Sequence, residues 1–226
     1  MISKIRLIRL ALHVVATVTL IAAIGLSAGA VATGAWEVIR YSRSPEYSRS
    51  PEYLDILNFG LWKTCFKVEH KGLSLNDRQL CVFREYPPGS DLPPYYGAQE
   101  RYKITISLLI ISICLGTIAL VLALTTVASD FTNYLNSLLK CATVWVVLQL
   151  LAAATDTAAV GVFYAYHEKP ENKFFIRQFK SPKTVELGYS FYNAVYGCIA
   201  YGVSSVFAIM ALVSLFIIRG RQRSEE

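Results

Sequence analysis

Four long apolar runs, almost free of charged residues, most strongly limit what this chain can fold into. They cover Leu10–Ala35, Ile104–Ser129, Cys141–Tyr166 with Asp156 inside it, and Tyr189–Ile218. The hydrocarbon core of a bilayer needs about 20 apolar residues per helix, so each run is long enough to span it. Hydrophobic residues make up 54% of the chain and charged residues 17%, a composition too apolar for a soluble domain of this size.

We therefore predict a mainly α-helical membrane protein, a single domain over residues 1–226 with four transmembrane helices. The helices are expected at about residues 8–35, 104–129, 140–166 and 189–218. An even number of spans places both termini on one side of the membrane. Residues 36–103 and 167–188 then form two loops on the other side.

The first apolar run has a second interpretation, a cleaved signal peptide, because basic residues precede it and small residues end it. Those basic residues are Lys4, Arg6 and Arg9. The apolar region of a signal peptide is about 7–15 residues long. The run Leu10–Ala35 has 26 residues. This length favours a retained transmembrane helix.

The distribution of basic residues indicates the orientation only weakly. The two termini and Lys140 together contribute seven Lys and Arg residues, against five in residues 167–186. Basic residues in short loops favour the cytoplasmic side. We therefore expect cytoplasmic termini and two extracellular loops.

Two of the five cysteines, Cys65 and Cys81, share one polar segment. Apolar and polar residues alternate from Trp62 to Glu69, as in a half-buried β-strand. A turn with Gly and Asn follows, and then a second short run that contains Cys81. We predict a β-hairpin with one cysteine on each strand and a disulfide between them, which an extracellular location would permit. The alternative is two unpaired loop thiols.

Several motifs resemble those of the claudin family. The residues that match the family signature in the first extracellular loop are Trp36, Gly60, Leu61, Trp62, Cys65 and Cys81. Arg101 is similar to an arginine that claudins carry just before the second helix. The segment Glu186–Tyr192, which contains Gly188, is similar to a claudin motif at the start of the fourth helix. The Gly-Leu-Trp signature is shared with the wider superfamily of peripheral myelin, epithelial membrane and calcium-channel gamma proteins.

The resemblance implies a left-handed four-helix transmembrane bundle with a small extracellular antiparallel β-sheet, formed mostly by the first loop. It implies a plasma-membrane protein of cell-cell junctions, including tight junctions. Such a protein associates with itself in cis and in trans and forms or regulates a paracellular barrier or a charge-selective pore. The alternative is an auxiliary subunit of an ion channel or receptor, like the gamma-type relatives. In both cases we expect no enzymatic activity, no cofactor and no metal, and as partners the lipid bilayer rather than nucleic acid.

The sequence departs from the claudin pattern in three places. The spacing between Cys65 and Cys81 is longer than is usual in claudins. The tail "RGRQRSEE" lacks the hydrophobic C-terminal residue that PDZ domains bind, so we do not expect a PDZ scaffold as a partner. The chain also has no Asn-x-Ser/Thr glycosylation motif, which myelin-type and gamma-type relatives often carry.

A perfect hexapeptide repeat, "YSRSPEYSRSPEY", occupies residues 41–53. It lies between Trp36 and Gly60, which are 24 positions apart, and removal of one unit would reduce this separation to 18. The shorter separation is close to that of claudins. We interpret the repeat as a small duplication in a variable extracellular segment, since cytosolic kinases cannot reach Ser-Pro sites there.

For the remaining candidate residues, a purely structural or surface role is the alternative to a functional one. Trp36, Leu61 and Trp62 are expected to seat the sheet on the helix ends, where Trp favours the membrane interface. Arg101 would either hydrogen-bond carbonyl groups of the sheet or pair with a nearby acid. Lys63 and Lys67 share one face of the predicted hairpin. They either line a pore or are ordinary solvated lysines.

Two more candidates lie in or beside the third span. Asp156 is the one acid inside a predicted span, and an intramembrane acid is by default a candidate functional residue. Its alternative is a structural hydrogen bond near the interface. Cys141, next to Lys140, is a candidate palmitoylation site or a plain small helix residue. The three histidines, His13, His70 and His167, show no metal-ligand spacing.

Overall fold

The computed structural model describes residues 2–41, 52–70, 79–83, 93–129, 135–168 and 182–225. It contains four helices: α1 (Ile2–Ala32), α2 (Pro93–Ser129), α3 (Leu135–His167) and α4 (Tyr189–Glu225). Five strands accompany them: β1 (Glu37–Tyr41), β2 (Glu52–Phe59), β3 (Lys63–His70), β4 (Gln79–Phe83) and β5 (Pro182–Leu187).

All four helices are long and apolar enough to cross a membrane, as the sequence predicts. The apolar spans are Leu7–Ala32, Arg101–Val127, Leu139–His167 and Tyr189–Gly220. Large apolar side chains cover their outer faces, such as Val18 at 60% and Ile199 at 57% exposure. In water such surfaces would be unstable, whereas hydrocarbon chains solvate them. The protein is therefore a multi-pass membrane protein.

The helices differ from the predicted bounds mainly at their ends. α2 begins at Pro93 rather than near residue 104, because the prediction counted only the apolar span. The polar residues before that span extend the helix, and Pro is well tolerated in the first turn. α1 ends at Ala32 rather than at residue 35, since the chain must already turn to enter β1 at Glu37.

The chain divides into two compact units. The bundle unit comprises Met1–Ala28, Leu108–Ala158 and Val195–Glu226. Its core draws on all four helices, with Leu20 of α1, Ala119 of α2, Trp145 of α3 and Tyr201 of α4 in one buried cluster. Alanines make up much of the rest of that cluster, and small residues let helix backbones approach closely in a membrane.

The second unit, called here the sheet unit, comprises Gly29–Ser107 and Ala159–Ala194. It contains one five-stranded sheet in the order β4-β3-β2-β1-β5, with all neighbouring strands antiparallel. Four strands come from the segment between α1 and α2, and β5 comes from the segment between α3 and α4. This confirms a small antiparallel sheet formed mostly by the first loop. The predicted hairpin is the pair β3–β4.

A tight junction between β5 and α4 requires a glycine. The Gly188 N–H donates to the Trp36 carbonyl at 2.9 Å, and the Ser190 N–H donates to the Ala35 carbonyl at 3.0 Å. A Cβ atom at Gly188 would collide with the Ala35 carbonyl group. The motif Glu186–Tyr192 therefore does not simply open the fourth helix: Glu186 belongs to β5, and α4 begins after Gly188.

The hexapeptide repeat connects β1 to β2. Tyr41 is the last residue of β1 and Glu52 the first of β2, while residues 42–51 lie outside the described part. The two strands pair from Glu37 opposite Phe59 to Arg40 opposite Ile56. This ladder uses no residue of the second repeat unit, 47–52.

We expect that deletion of residues 47–52 leaves folding and delivery to the cell surface intact. The deletion joins Glu46 to Tyr53, so a glutamate still precedes Tyr53 at the start of β2. The entropy of loop closure changes the free energy of unfolding by only about 0.6 kcal/mol per factor of two in loop length. Surface biotinylation of transfected cells measures delivery.

The matched control is deletion of residues 53–58, which removes the same number of residues from the middle of the sheet. That variant loses pairing with both β1 and β3 and should be retained inside the cell. Equal retention of the two deletion variants would show that the repeat itself is structural.

Candidate functional site

Trp36 is the central aromatic anchor of the sheet unit. It is fully buried, and its indole N–H donates to the Ala30 carbonyl at 2.7 Å. Its ring centroid lies 4.7 Å from that of Phe163 on α3 and 6.1 Å from that of Phe191 on α4. Buried aromatic groups of this size contribute much of a core's stability. Trp36 therefore fixes the start of β1 against two helix ends.

The next residue, Glu37, is a buried acid with three partners. Arg101 Nη2 lies 3.1 Å from Glu37 Oε2, and the Tyr102 hydroxyl donates to the same oxygen at 3.0 Å. His167 Nδ1 lies 3.0 Å from the other oxygen, Oε1. An ionised carboxylate only accepts, so Nδ1 carries the proton of this bond. These four residues, named here the Glu37 cluster, join β1 to α2 and α3.

Electrostatics keep this carboxyl group ionised despite its burial. Burial alone would raise the pKa of Glu37. The hydrogen bond from His167, the charges of Arg101 and His167 and the hydrogen bond from Tyr102 outweigh it and hold the pKa below its ordinary value. The Arg101 guanidinium also lies over aromatic faces, 4.7 Å from the Tyr102 ring centroid and 5.6 Å from that of Phe163.

The sequence identified only one member of the Glu37 cluster as a site residue. For Arg101 it left open a carbonyl partner or an acid, and the structure shows the acid. Glu37 and His167 were missed as partners, because they lie 64 positions before and 66 positions after Arg101. The available signal was a charged residue directly after the leading Trp of the family motif.

The Gly60-Leu61-Trp62 motif forms the turn between β2 and β3. Gly60 and Leu61 are buried, whereas Trp62 has 45% of its surface exposed. Of the three expected anchors, Trp36 and Leu61 therefore pack inside the sheet unit and Trp62 does not. A half-exposed indole suits a membrane–water interface, where one edge meets lipid and the other water.

The two loop cysteines occupy directly opposite positions on β3 and β4. The register pairs Cys65 with Cys81, and Cys65 is 2% exposed. Opposite Cα atoms in an antiparallel ladder lie about 4.5–5.5 Å apart, and disulfides span Cα distances of about 4.4–6.8 Å. Lys63 and Lys67 flank Cys65 at two positions on either side, opposite Phe83 and Gln79. The side chains of these lysines lie outside the described part.

The other two candidates lie in the bundle unit. Asp156 is fully buried and accepts hydrogen bonds from Ser27 Oγ and Cys198 Sγ, both at 3.1 Å. Cys141 is a half-buried free thiol beside the exposed Lys140. Its palmitoylation stays a prediction. Among the described residues, no group of three or more His, Cys, Asp or Glu side chains is arranged to hold a metal ion.

The arrangement defines a class of membrane protein: four spans, with a small sheet from the first and third inter-helix segments fixed by a buried Trp and a buried ion pair. The family described as PMP-22/EMP/MP20/Claudin tight junction matches residues 14–213, and the chain belongs to this family. A search of curated proteins found no significant match.

We expect the Glu37 cluster to make stability sensitive to acid. Since the pKa of Glu37 is lowered on folding, its stabilising effect is present above the ordinary value of 4.5 and is lost as the pH falls through the lower value of the folded state. Glu37→Gln should lower the free energy of unfolding at neutral pH by about 3 kcal/mol, because Arg101 stays buried without its counter-charge. The variant should also lack the part of the acid-induced loss of stability that comes from protonation of Glu37. Thermal unfolding in detergent from neutral pH to about pH 3 measures both.

The matched control is Lys103→Gln, which removes an exposed charge two positions after Arg101. It should leave the profile close to that of the wild type. The same acid-induced loss in wild type and Glu37→Gln would show that Glu37 does not cause it.

We expect a disulfide between Cys65 and Cys81, based on their direct opposition in the ladder. A bridge that closes a loop of this length contributes about 3 kcal/mol to the free energy of unfolding. Non-reducing peptide mapping of surface protein should recover the two peptides linked. Cys65→Ser and Cys81→Ser should each cause retention in the secretory pathway, whereas Cys141→Ser should not. Recovery of both thiols free on surface protein would contradict the pairing.

Proposed function

We propose that the protein acts at cell-cell contacts of the plasma membrane, where it forms or regulates a paracellular barrier or a charge-selective pore. It does so by association with itself, side by side in one membrane and head to head across the intercellular gap. The observation that carries this proposal is the five-stranded sheet fixed by the Glu37 cluster, in a chain of the claudin superfamily. A sheet held in this way is a rigid surface that a second copy can recognise.

The orientation that this function requires is a sheet outside the cell and termini inside it. The paired positions of Cys65 and Cys81 support it, since disulfides persist in oxidising compartments. The weak excess of basic residues at the termini and Lys140 also supports it.

The open edges of the sheet support self-association. Within the described residues, β4 and β5 each pair with a single neighbouring strand. Edge strands present unpaired backbone N–H and C=O groups, which can pair with another chain. The half-exposed Trp62 adds an apolar group beside the β2–β3 turn.

We further propose a non-enzymatic role. The residues that the chain shares with the claudin signature pack and hydrogen-bond rather than face a substrate site: Trp36 binds a backbone carbonyl and Arg101 pairs with Glu37. This is the geometry of a scaffold. In the gamma-type alternative, the protein packs against a channel and uses the same fold. The experiment below distinguishes the two functions.

Expression in fibroblasts that lack tight junctions tests this function. Freeze-fracture imaging should show continuous intramembrane strands where two expressing cells meet, and none in untransfected cells. Diffuse surface staining without strands, together with co-purification of a channel subunit, would instead support the auxiliary-subunit alternative.

Charge selectivity would depend on lysines of β3. Residues 37–103 carry ten basic and nine acidic residues, and residues 167–186 carry five and three, so both segments are net positive. Lys63 and Lys67 are four positions apart on one strand, an even separation that places both on the same face of the sheet. Two positive charges within about 8 Å of a narrow aqueous gap would favour anions over cations.

We expect Lys67→Glu to shift the permeability of epithelial monolayers toward cations, measured as the dilution potential. The matched control is Lys140→Glu, the same charge change at an exposed position in the second turn of α3, which should leave the potential unchanged. If Lys67→Glu still assembles into intramembrane strands but has the same ion permeability as the wild type, Lys67 does not line the pore.

A further inference from the structure

The interior of the bundle unit contains polar atoms that have no hydrogen-bond partner among the described residues. They include His13 Nδ1, Trp145 Nε1 and Gln149 Oε1, on side chains that are at most 1% exposed. All three residues lie inside membrane spans, on α1 and α3. Lipid supplies no hydrogen bonds there, and an unsatisfied buried polar group lowers stability. Polar atoms of this kind indicate a site for a small polar ligand.

The three side chains lie at two adjacent levels between α1 and α3. The His13 and Trp145 rings are stacked, with centroids 4.9 Å apart and planes at 17°. Gln149 is four positions after Trp145 and thus on the same face of α3. Its amide donates to Ser204 Oγ of α4, which donates to the Ala16 carbonyl of α1 at 2.6 Å, three positions after His13. The Gln149 amide therefore lies one helical turn from the stacked rings.

The hydrogen bonds of Ser204 fix the orientation of the Gln149 amide. A serine hydroxyl has one proton, and Ser204 donates it to the Ala16 carbonyl. Ser204 Oγ can therefore only accept from Gln149, which identifies the facing atom as the amide nitrogen Nε2. Oε1 is then the atom of this side chain that accepts from another group.

The three atoms together require a ligand that both donates and accepts. The indole N–H of Trp145 only donates, and Oε1 of Gln149 only accepts. The indole proton would repel a metal cation, and the amide oxygen would repel an anion. His13 Nδ1 donates or accepts according to its tautomer. Water matches all three atoms, and a buried water typically makes about three such bonds.

The separation of the two levels also suits one water molecule. Residues three or four positions apart on a helix have Cβ atoms about 5–6 Å apart. A water with hydrogen bonds of about 2.7–3.0 Å on either side bridges a similar distance. Alanine forms much of the rest of the buried cluster that contains Trp145, including Ala16, Ala152 and Ala208. These short side chains leave space that larger residues would fill.

We infer that the bundle interior binds an ordered water molecule between α1 and α3, held by Trp145 Nε1, Gln149 Oε1 and His13 Nδ1. The water accepts the indole proton and donates to the amide oxygen. Through Gln149 and Ser204, its bonds connect the stacked rings to α4. The site takes water rather than an ion. This inference is independent of the proposed junctional function.

Water-edited solid-state NMR of the full chain in lipid vesicles tests the site. With ¹⁵N-labelled tryptophan, the chain gives three indole signals, from Trp36, Trp62 and Trp145. Polarisation from water protons should reach Trp145 several-fold faster than Trp36. Trp36 is the matched control, because it is equally buried but its indole N–H donates to the Ala30 carbonyl. Trp62, with 45% of its surface exposed, is the positive control.

Ring contacts assign the two buried indole signals without any substitution. Trp145 should show proton contacts to the stacked ring of His13, and Trp36 to the ring of Phe163. Transfer to Trp145 that is no faster than transfer to Trp36 would overturn the inference.

Two substitutions on α1 test His13 as a ligand of the water. His13→Phe keeps a ring for stacking but removes Nδ1, so transfer to Trp145 should fall several-fold. The matched control is Thr17→Val, one turn further along α1. The Thr17 hydroxyl donates to the His13 carbonyl of its own helix, so this change should leave the transfer unchanged. Equal transfer to Trp145 in the two variants would overturn the role of His13.

Discussion

The buried ion pair between Glu37 and Arg101 is the interaction on which the sheet unit depends. β1 lies between β2 and β5, so it links the strands of the first inter-helix segment to the strand of the third, and Glu37 is its first residue. The carboxylate is held from two helices at once, by Arg101 and Tyr102 of α2 and by His167 of α3. A buried charge pair costs much to desolvate and more to break, so it favours one position of β1 over all others.

In the bundle unit, the bilayer imposes the opposite arrangement to that of a soluble core. Apolar side chains cover the outside, and the interior contains Ser, Thr, Gln and Asp side chains that are fully buried. Lipid offers these groups no hydrogen bonds, so partners inside the protein stabilise them. Ser204 Oγ accepts from Gln149 and donates to the Ala16 carbonyl, and so joins α1, α3 and α4, the same three helices that the hydrogen bonds of Asp156 join.

The two buried acids, Glu37 and Asp156, lie in different electrostatic surroundings. Glu37 lies outside the spans beside Arg101 and remains ionised because charged and polar donors surround it. Asp156 lies within a span, where its carboxyl oxygens accept hydrogen bonds from the Ser27 hydroxyl and the Cys198 thiol.

The sequence by itself determined the features that depend on local pattern. Apolar length is visible in a linear chain, so the four spans were predicted, and the alternation around Cys65 together with a turn predicted the β3–β4 hairpin. Partners distant in sequence were not predictable: the tertiary structure alone brought His167 to Glu37, β5 to β1 and Ser27 to Asp156. Span length and strand alternation follow from local side-chain chemistry, whereas which buried polar groups meet depends on how the helices pack.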